Sequence, residues 1–210
     1  MNIYRIYDTL SRPFRRRRMR AFLALLKPAQ GAQLLDLGGF PWTWAHLGVE
    51  FPIICLNTHI PKEALGFAPR IVMVLGDATR LEYADGSFEI VYSNSVVEHL
   101  GTWERQRAFA REARRVGRRL WIQTPARSFI IEPHLLAPLI HFLPKSVQAR
   151  LIRYFTPWGL ITKPTAQQIR DFLEEVRLLS YAEMKQLFPD CRIMRERFLW
   201  LVKSYIAVRT

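Results

Sequence analysis

Four stretches of the 210-residue sequence set reactive side chains beside residues that let a backbone close on a ligand. "LLDLGG" places Asp36 just before Gly38 and Gly39, where a chain without Cβ atoms can approach a bound group. "LGDA" supplies Gly76, Asp77 and Ala78, a carboxylate acceptor followed by a small residue. "YSNSVVEH" leads from Ser93, Asn94 and Ser95 to His99. "IEPH" sets Glu132 two residues from His134, so that a carboxylate can hold an imidazole as an oriented neutral base. Two cysteines, Cys55 and Cys191, are too few for a zinc site or a disulfide framework, and no metal is expected. Cys55, inside the apolar run "FPIICL", reads as a buried, inert thiol.

These groups need a scaffold that gathers them. "QLLDLGG", "FPIICLN", "RIVMVLGD", "DGSFEIVYSNS" and "RRLWIQTP" read as five buried strands separated by polar or helical stretches. Such runs predict a mostly parallel, doubly wound α/β sheet with helices on both faces. Ligands of an open parallel sheet bind beyond the carboxyl ends of its strands. The reactive residues, together with Asn57 and Thr58 after the second strand, fall there. An amphipathic helix is expected over Arg15 to Leu26, and a second over "TWERQRAFAREARRVGRR", with Phe109, Ala113 and Val116 at helical spacing. Residues 126–180 are apolar, broken by prolines, and marked by capping boxes at Thr165/Gln168 and Ser180/Glu183. They predict a helical, lid-like insertion within one domain spanning residues 1–210. "CRIMRERFLWLVKSYIAVR" predicts a closing hairpin, its turn poorly marked between Glu196 and Leu199.

In order and spacing the set resembles the class I S-adenosylmethionine-dependent methyltransferases, particularly small-molecule enzymes with an "LDLG" loop and an "EH" after strand four. The likeness runs from Tyr4 to about Pro125 and more loosely through the terminal hairpin. It implies a seven-stranded Rossmann-like sheet with a C-terminal antiparallel hairpin, S-adenosyl-L-methionine as cofactor, and methyl transfer. By the same resemblance, Gly38 and Gly39 admit the methionine part of the cofactor and Asp36 orients it, directly or through water. Asn57, followed by Thr58, stands where the family usually grips the ribose hydroxyls with an acid. Asp77, after Gly76, matches the acceptor for the adenine amino group, and the Ala78 N–H faces a ring nitrogen. Ser93, Asn94 and Ser95 pass the transferred methyl. The sequence departs from the family at Phe40 and Trp42, aromatic where the loop often has glycine, and in the short "PKEALGF" after Asn57. A dehydrogenase would need glycine at Phe40 and an acid at Asn57, and has neither.

Methyl transfer needs alignment and exclusion of water, and a base only where the accepting atom must lose a proton. His134, Glu132 and His99 are the candidates. His99 fits packing and helix-start contacts as well, and "IEPH" fits a satisfied pair in the lid. The apolar lid points to a small hydrophobic or lipid-like acceptor. With 31 Lys+Arg against 18 Asp+Glu, the formal charge of +13 asks for an anionic partner. Arg15 to Arg18 suggest peripheral contact with an anionic membrane. Nucleic acid is supported by charge alone and is not the expected partner. Two readings outside catalysis stay open: an inactive methyltransferase-like adaptor at a membrane surface, and a basic nucleic-acid-binding protein. The apolar run after the arginines is too short for a signal peptide and no spanning segment stands out. A cytoplasmic protein is expected, with or without peripheral attachment to membrane.

Overall fold

A computed structural model describes residues 3–45, 47–64, 66 and 69–210, with the side chains of Tyr4, Arg5, Ile6 and Asp8 left out. Five parallel strands form where the apolar runs stand: β1 (Leu34–Leu37), β2 (Ile53–Asn57), β3 (Ile71–Leu75), β4 (Phe88–Asn94) and β5 (Gly117–Pro125). A two-residue pair, β6 (Ile131–Glu132) with β7 (Ala137–Pro138), lies apart from the sheet. The hairpin β8 (Arg192–Phe198) and β9 (Leu201–Arg209) joins antiparallel, β9 beside β5. The sheet order is β3-β2-β1-β4-β5-β9-β8, with the order reversing between β1 and β4. The expected doubly wound, seven-stranded sheet is therefore present.

The helices cover both faces. They are α1 (Ile3–Leu26), the single turn α2 (Trp42–Ala45), α3 (Trp103–Val116), α4 (Lys145–Phe155), α5 (Pro157–Thr162), α6 (Ala166–Glu175) and α7 (Tyr181–Leu187). Because strand side chains alternate, Leu35, Leu37, Val91 and Leu120 meet α3 and α7 on one face, through Phe109, Ala113 and Met184. Leu34, Ile53, Ile90 and Trp121 meet α1 on the other. There Phe22 lies edge-on to Trp44, Tyr92 and Trp121 at centroid distances of 5.9, 5.1 and 5.7 Å. Full burial of such a ring stabilises by roughly 1.5–3 kcal/mol. Cys55 is buried in this layer, as expected, and burial holds its thiol protonated.

Two expectations need correction. Helix α1 begins at Ile3 rather than Arg15, running through Pro13. Proline inside a helix removes a hydrogen bond and costs about 3 kcal/mol, so the sequence reads as broken there. Tertiary contacts offset that cost: Ile3 is buried, and the Tyr7 hydroxyl donates to the His134 carbonyl in the lid. The insertion is also not purely helical, since β6 and β7 open it. Its own small core comprises Leu135, Ala137, Ile140, Ile152, Ile169 and Leu173. Both expected capping boxes form, at Thr165/Gln168 and Ser180/Glu183. The hairpin turns at Leu199–Trp200, and a bulge at Glu196/Arg197 breaks the alternation that would have marked it.

Candidate active site

Beyond β1 the chain turns at Gly38, whose φ of +77° favours glycine, and the Gly38 N–H donates to the Leu56 carbonyl at 2.7 Å. A Cβ there would lie 2.5 Å from Val96, and one at Gly39 only 1.8 Å from Asp36 Oδ2. Both glycines are thus required by what packs against them within the fold. Asp36 fills the space beneath the loop and is buried. Trp44 Nε1 donates to its Oδ2 at 2.7 Å, while Oδ1 has no partner among the described residues. Burial pushes this carboxyl up to about 7, against the smaller downward pull of the Trp44 bond. Tyr92, beside Asp36 on β4, is held protonated first by burial and then by the Asp36 charge. Above this layer Phe40 and Trp42 stack at 4.5 Å with planes 9° apart, and His59 meets Phe40 edge-on at 5.9 Å.

The neighbouring loops complete this side of the edge. Asn57 Nδ2 donates to the Gly38 carbonyl at 3.3 Å, and its Oδ1 accepts from the Thr58 N–H at 2.9 Å. The amide ties the first two loops together. Gly76 N–H donates to the Asn57 carbonyl at 2.9 Å, which brings Asp77 and Ala78 alongside. Asp77 Oδ1 accepts from the Thr79 N–H and hydroxyl, both at 2.8 Å, and Arg105 approaches Oδ2 at 3.4 Å. Partial burial opposes ionisation of Asp77, but the Thr79 bonds and Arg105 outweigh it and hold the carboxyl below its usual range. Ser93 departs from its expected place: it is fully buried and its hydroxyl donates to the Leu37 carbonyl at 2.9 Å, stapling β4 to β1. Asn94 stays half-buried at the strand end. Ser95, at φ +56°, donates from its N–H to the Gln123 carbonyl at 3.0 Å and from its hydroxyl to Gln123 Oε1 at 3.1 Å.

Across the switch point the three expected acid–base residues do come together. His134 Nδ1 lies 2.6 Å from Glu132 Oε1, whose second oxygen accepts from the Leu135 N–H at 2.5 Å. His134 Nε2 faces His99 Nε2 at 3.1 Å with the rings nearly perpendicular at 85°. His99 Nδ1 reaches Glu175 Oε1 at 2.9 Å. Burial opposes a charge on His134, but the Glu132 bond and charge, reinforced by Glu98 and Glu175, outweigh it and raise its pKa. Glu98 is buried; Thr124 donates to its Oε2 at 2.9 Å, and its Oε1 has no partner among the described residues.

The lid is clamped onto this cluster by residues the sequence did not single out. Arg177 N–H donates to the Glu98 carbonyl at 2.7 Å, and Gln106 Nε2 to the carbonyls of Val97 and Arg177, both at 2.9 Å. Gln106 is legible in hindsight, as a polar residue three positions before Phe109 on the apolar face of α3. Glu175, at the end of α6, and Trp44, under Asp36, carry no such signal. Beside the cluster a cavity of about 390 Å³ has a partly apolar wall, including Leu143, Phe172 and Leu178, with Arg127 and Lys145 at its lining. His141 borders it from a short 3-10 turn, its Nε2 3.0 Å from the Arg127 carbonyl.

Among known proteins, the family model of a methyltransferase domain matches residues 50–119, the stretch from just before β2 into β5. No curated protein sequence matches the chain significantly. A Burkholderia thailandensis 1,6-didemethyltoxoflavin-N1-methyltransferase, solved with bound 1,6-didemethyltoxoflavin and S-adenosylhomocysteine, shares the fold at TM-score 0.58 and 15% identity over 92% of this chain and 76% of its own. The PH0226 protein of Pyrococcus horikoshii shares it at TM-score 0.55 and 14% identity over 99% and 91%. The YcgJ protein of Bacillus subtilis shares it at TM-score 0.54 and 16% identity over 84% and 69%. The chain thus carries a segment that matches a methyltransferase domain and shares its fold with these solved structures.

Proposed function

We propose that the protein transfers the methyl group of S-adenosyl-L-methionine to a small, hydrophobic or lipid-like acceptor. The observation that carries this reading is the division of the carboxyl edge at the strand-order switch. Gly38, Gly39, Asn57 and Asp77–Ala78 gather on one side, and the Glu132–His134–His99 chain lies on the other under the lid. The residues present fit the cofactor. Asp77 is ionised and exposed enough to accept an amino group, the Phe40–Trp42 stack offers an aromatic face to a sulfonium, and beneath it Asp36 holds a buried oxygen with no partner among the described residues. Asn57, although an amide, joins the two loops that would flank the ribose. The cofactor supplies an already activated methyl, so the protein's part is orientation and exclusion of water. With its proton on Nδ1, held by Glu132, His134 turns Nε2 toward His99, so the two imidazoles would act on the acceptor as a pair.

For the acceptor, support comes from the apolar cavity wall and from apolar residues exposed on the lid, among them Leu139, Phe142, Phe155 and Leu160. Arg127 and Lys145 at the cavity suit an acidic end on such a molecule. Peripheral attachment to an anionic membrane is part of the same reading. Phe198, Leu199 and Trp200 are exposed at the hairpin tip, Phe14 of α1 packs on Phe198 at 5.7 Å, and Arg16, Arg17 and Arg20 are exposed on the same helix. Among the described residues no helix is long and apolar enough to cross a membrane.

The deciding test is calorimetric titration of S-adenosylhomocysteine into wild-type and Asp77→Ala protein. Micromolar binding that weakens at least tenfold in the variant supports the assignment. Absence of binding at millimolar ligand, or binding indifferent to the substitution, overturns it.

A further inference from the structure

The two histidines meet in an unusual way. Each gives its Nδ1 to a carboxylate, His134 to Glu132 at 2.6 Å and His99 to Glu175 at 2.9 Å. In neutral imidazoles those bonds make both Nδ1 atoms donors and leave a lone pair on each Nε2, and the two Nε2 atoms face each other at 3.1 Å, a distance that calls for a shared proton or a shared cation. Two lone pairs at that distance repel unless something positive lies between or beside them. Glu98 adds a third demand. One of its oxygens lies within 4.8 Å of a ring nitrogen of each histidine, the residue is fully buried, and its Oε1 has no hydrogen-bond partner among the described residues. A buried carboxylate oxygen without a donor is costly. Three carboxylates thus surround two imidazoles whose Nε2 atoms converge.

We infer that Glu98, His99 and His134 bind a divalent first-row metal ion of the zinc type, with Glu132 and Glu175 orienting the two histidines and Thr124 orienting Glu98. This departs from the sequence expectation of no metal. The spacing suits it, because ligand atoms held by one ion at ~2.0–2.2 Å stand roughly 3–3.5 Å apart, and the two nitrogens already do. Two imidazoles favour zinc and its neighbours over magnesium or calcium, which prefer all-oxygen shells. Carboxylates behind both histidines are the usual means of fixing a ligand's tautomer and raising its basicity. Three protein ligands leave a further position for an oxygen or nitrogen of the acceptor, and a hydroxyl bound there loses its proton more readily. The use of that open position rests on the methyltransferase reading; the metal site itself does not.

The test uses untagged full-length protein treated with chelator and dialysed. Zinc(II) is titrated by competition with a chromophoric chelator, and cobalt(II) by its visible ligand-field bands. One equivalent of each is expected, the cobalt bands reporting four- or five-coordinate nitrogen and oxygen ligation. Glu98→Gln and His134→Ala should abolish the bands, and Glu175→Gln, an exposed change that leaves the fold intact, should weaken zinc binding about 10–100-fold. Thermal melting of each variant separates loss of the site from loss of the fold. No stoichiometric binding, or binding unchanged in Glu175→Gln and in a His99→Ala/His134→Ala protein, overturns the inference. S-adenosylhomocysteine is titrated into the same metal-free samples. Cofactor binding without any metal binding sinks the metal site alone, and metal binding without cofactor sinks the methyltransferase reading alone.

Discussion

Asp36→Asn isolates a buried carboxyl of the site whose side-chain hydrogen-bond partner is the neutral Trp44. The substitution keeps the side chain's size and leaves an oxygen for Trp44 Nε1, but it cannot ionise. In the folded protein the Asp36 carboxyl titrates near 7, above its ordinary 3.8. The folded state therefore holds a proton over this window that the unfolded chain has released. Its contribution to stability is full below pH 3.8 and is lost as pH rises through about 7. One pK unit corresponds to ~1.4 kcal/mol, so between pH 5 and pH 7.5 the wild type should lose about 2–3 kcal/mol from this group. Denaturant unfolding of both proteins at several pH values reads the effect. The difference in stability, variant minus wild type, should rise by that amount across the window, because every other titratable group is common to both proteins and cancels. Parallel pH curves would refute the account, and would mean that Asp36 is ionised in the fold and has an unseen partner.

Other outcomes follow from the same geometry. Gly39→Ala drives a methyl into Asp36, so its melting temperature should fall steeply, and Asp36→Ala added to it should recover part of the loss; additive losses in the double variant would contradict the contact. Thr165→Ala removes one half of a formed capping box and should cost about 1 kcal/mol by denaturant unfolding without affecting ligand binding. Sedimentation with phosphatidylserine vesicles should carry wild-type protein down at low salt. It should fail with Trp200→Ser plus Arg16→Ser and Arg17→Ser, and equal binding to neutral phosphatidylcholine vesicles would argue against the charged surface.

The parts of the fold that depend on local pattern were legible. Five apolar runs ending in glycine, asparagine or proline could be placed as strands because their nearly unbroken apolar residues leave little polar alternation to confuse them. The capping boxes at Thr165 and Ser180 were legible because both partners lie within one turn. The rest depends on partners far away in the chain. Helix α1 passes Pro13 because its first turns have a lid to pack on, which no local propensity reports. Ser93 looked like a lining residue, but register with β1 puts its hydroxyl under the Leu37 carbonyl. At the candidate site, Glu132 and His134 declared themselves by adjacency. Glu175, which holds His99 from 76 positions away, could not.

Arg18 lies inside the arginine run but does not share its surroundings. It is buried against Glu196 of β8 at 2.9 Å, with both side chains 7% exposed, and Phe22 and Leu26 follow it inward at steps of four. That column fixes the rotational phase of α1. At about 100° per residue, Arg16 and Arg20 are turned to the far side by the same setting that buries Arg18. A one-residue insertion upstream of Arg18 would leave the column in place but swing every arginine before it through a quarter turn. The identity of each arginine could then be kept while the direction of the field they create was lost. Direction is thus stored in the spacing to Phe22, and a sequence drifting through lysine-for-arginine exchanges would preserve it better than one that gained or lost a single residue.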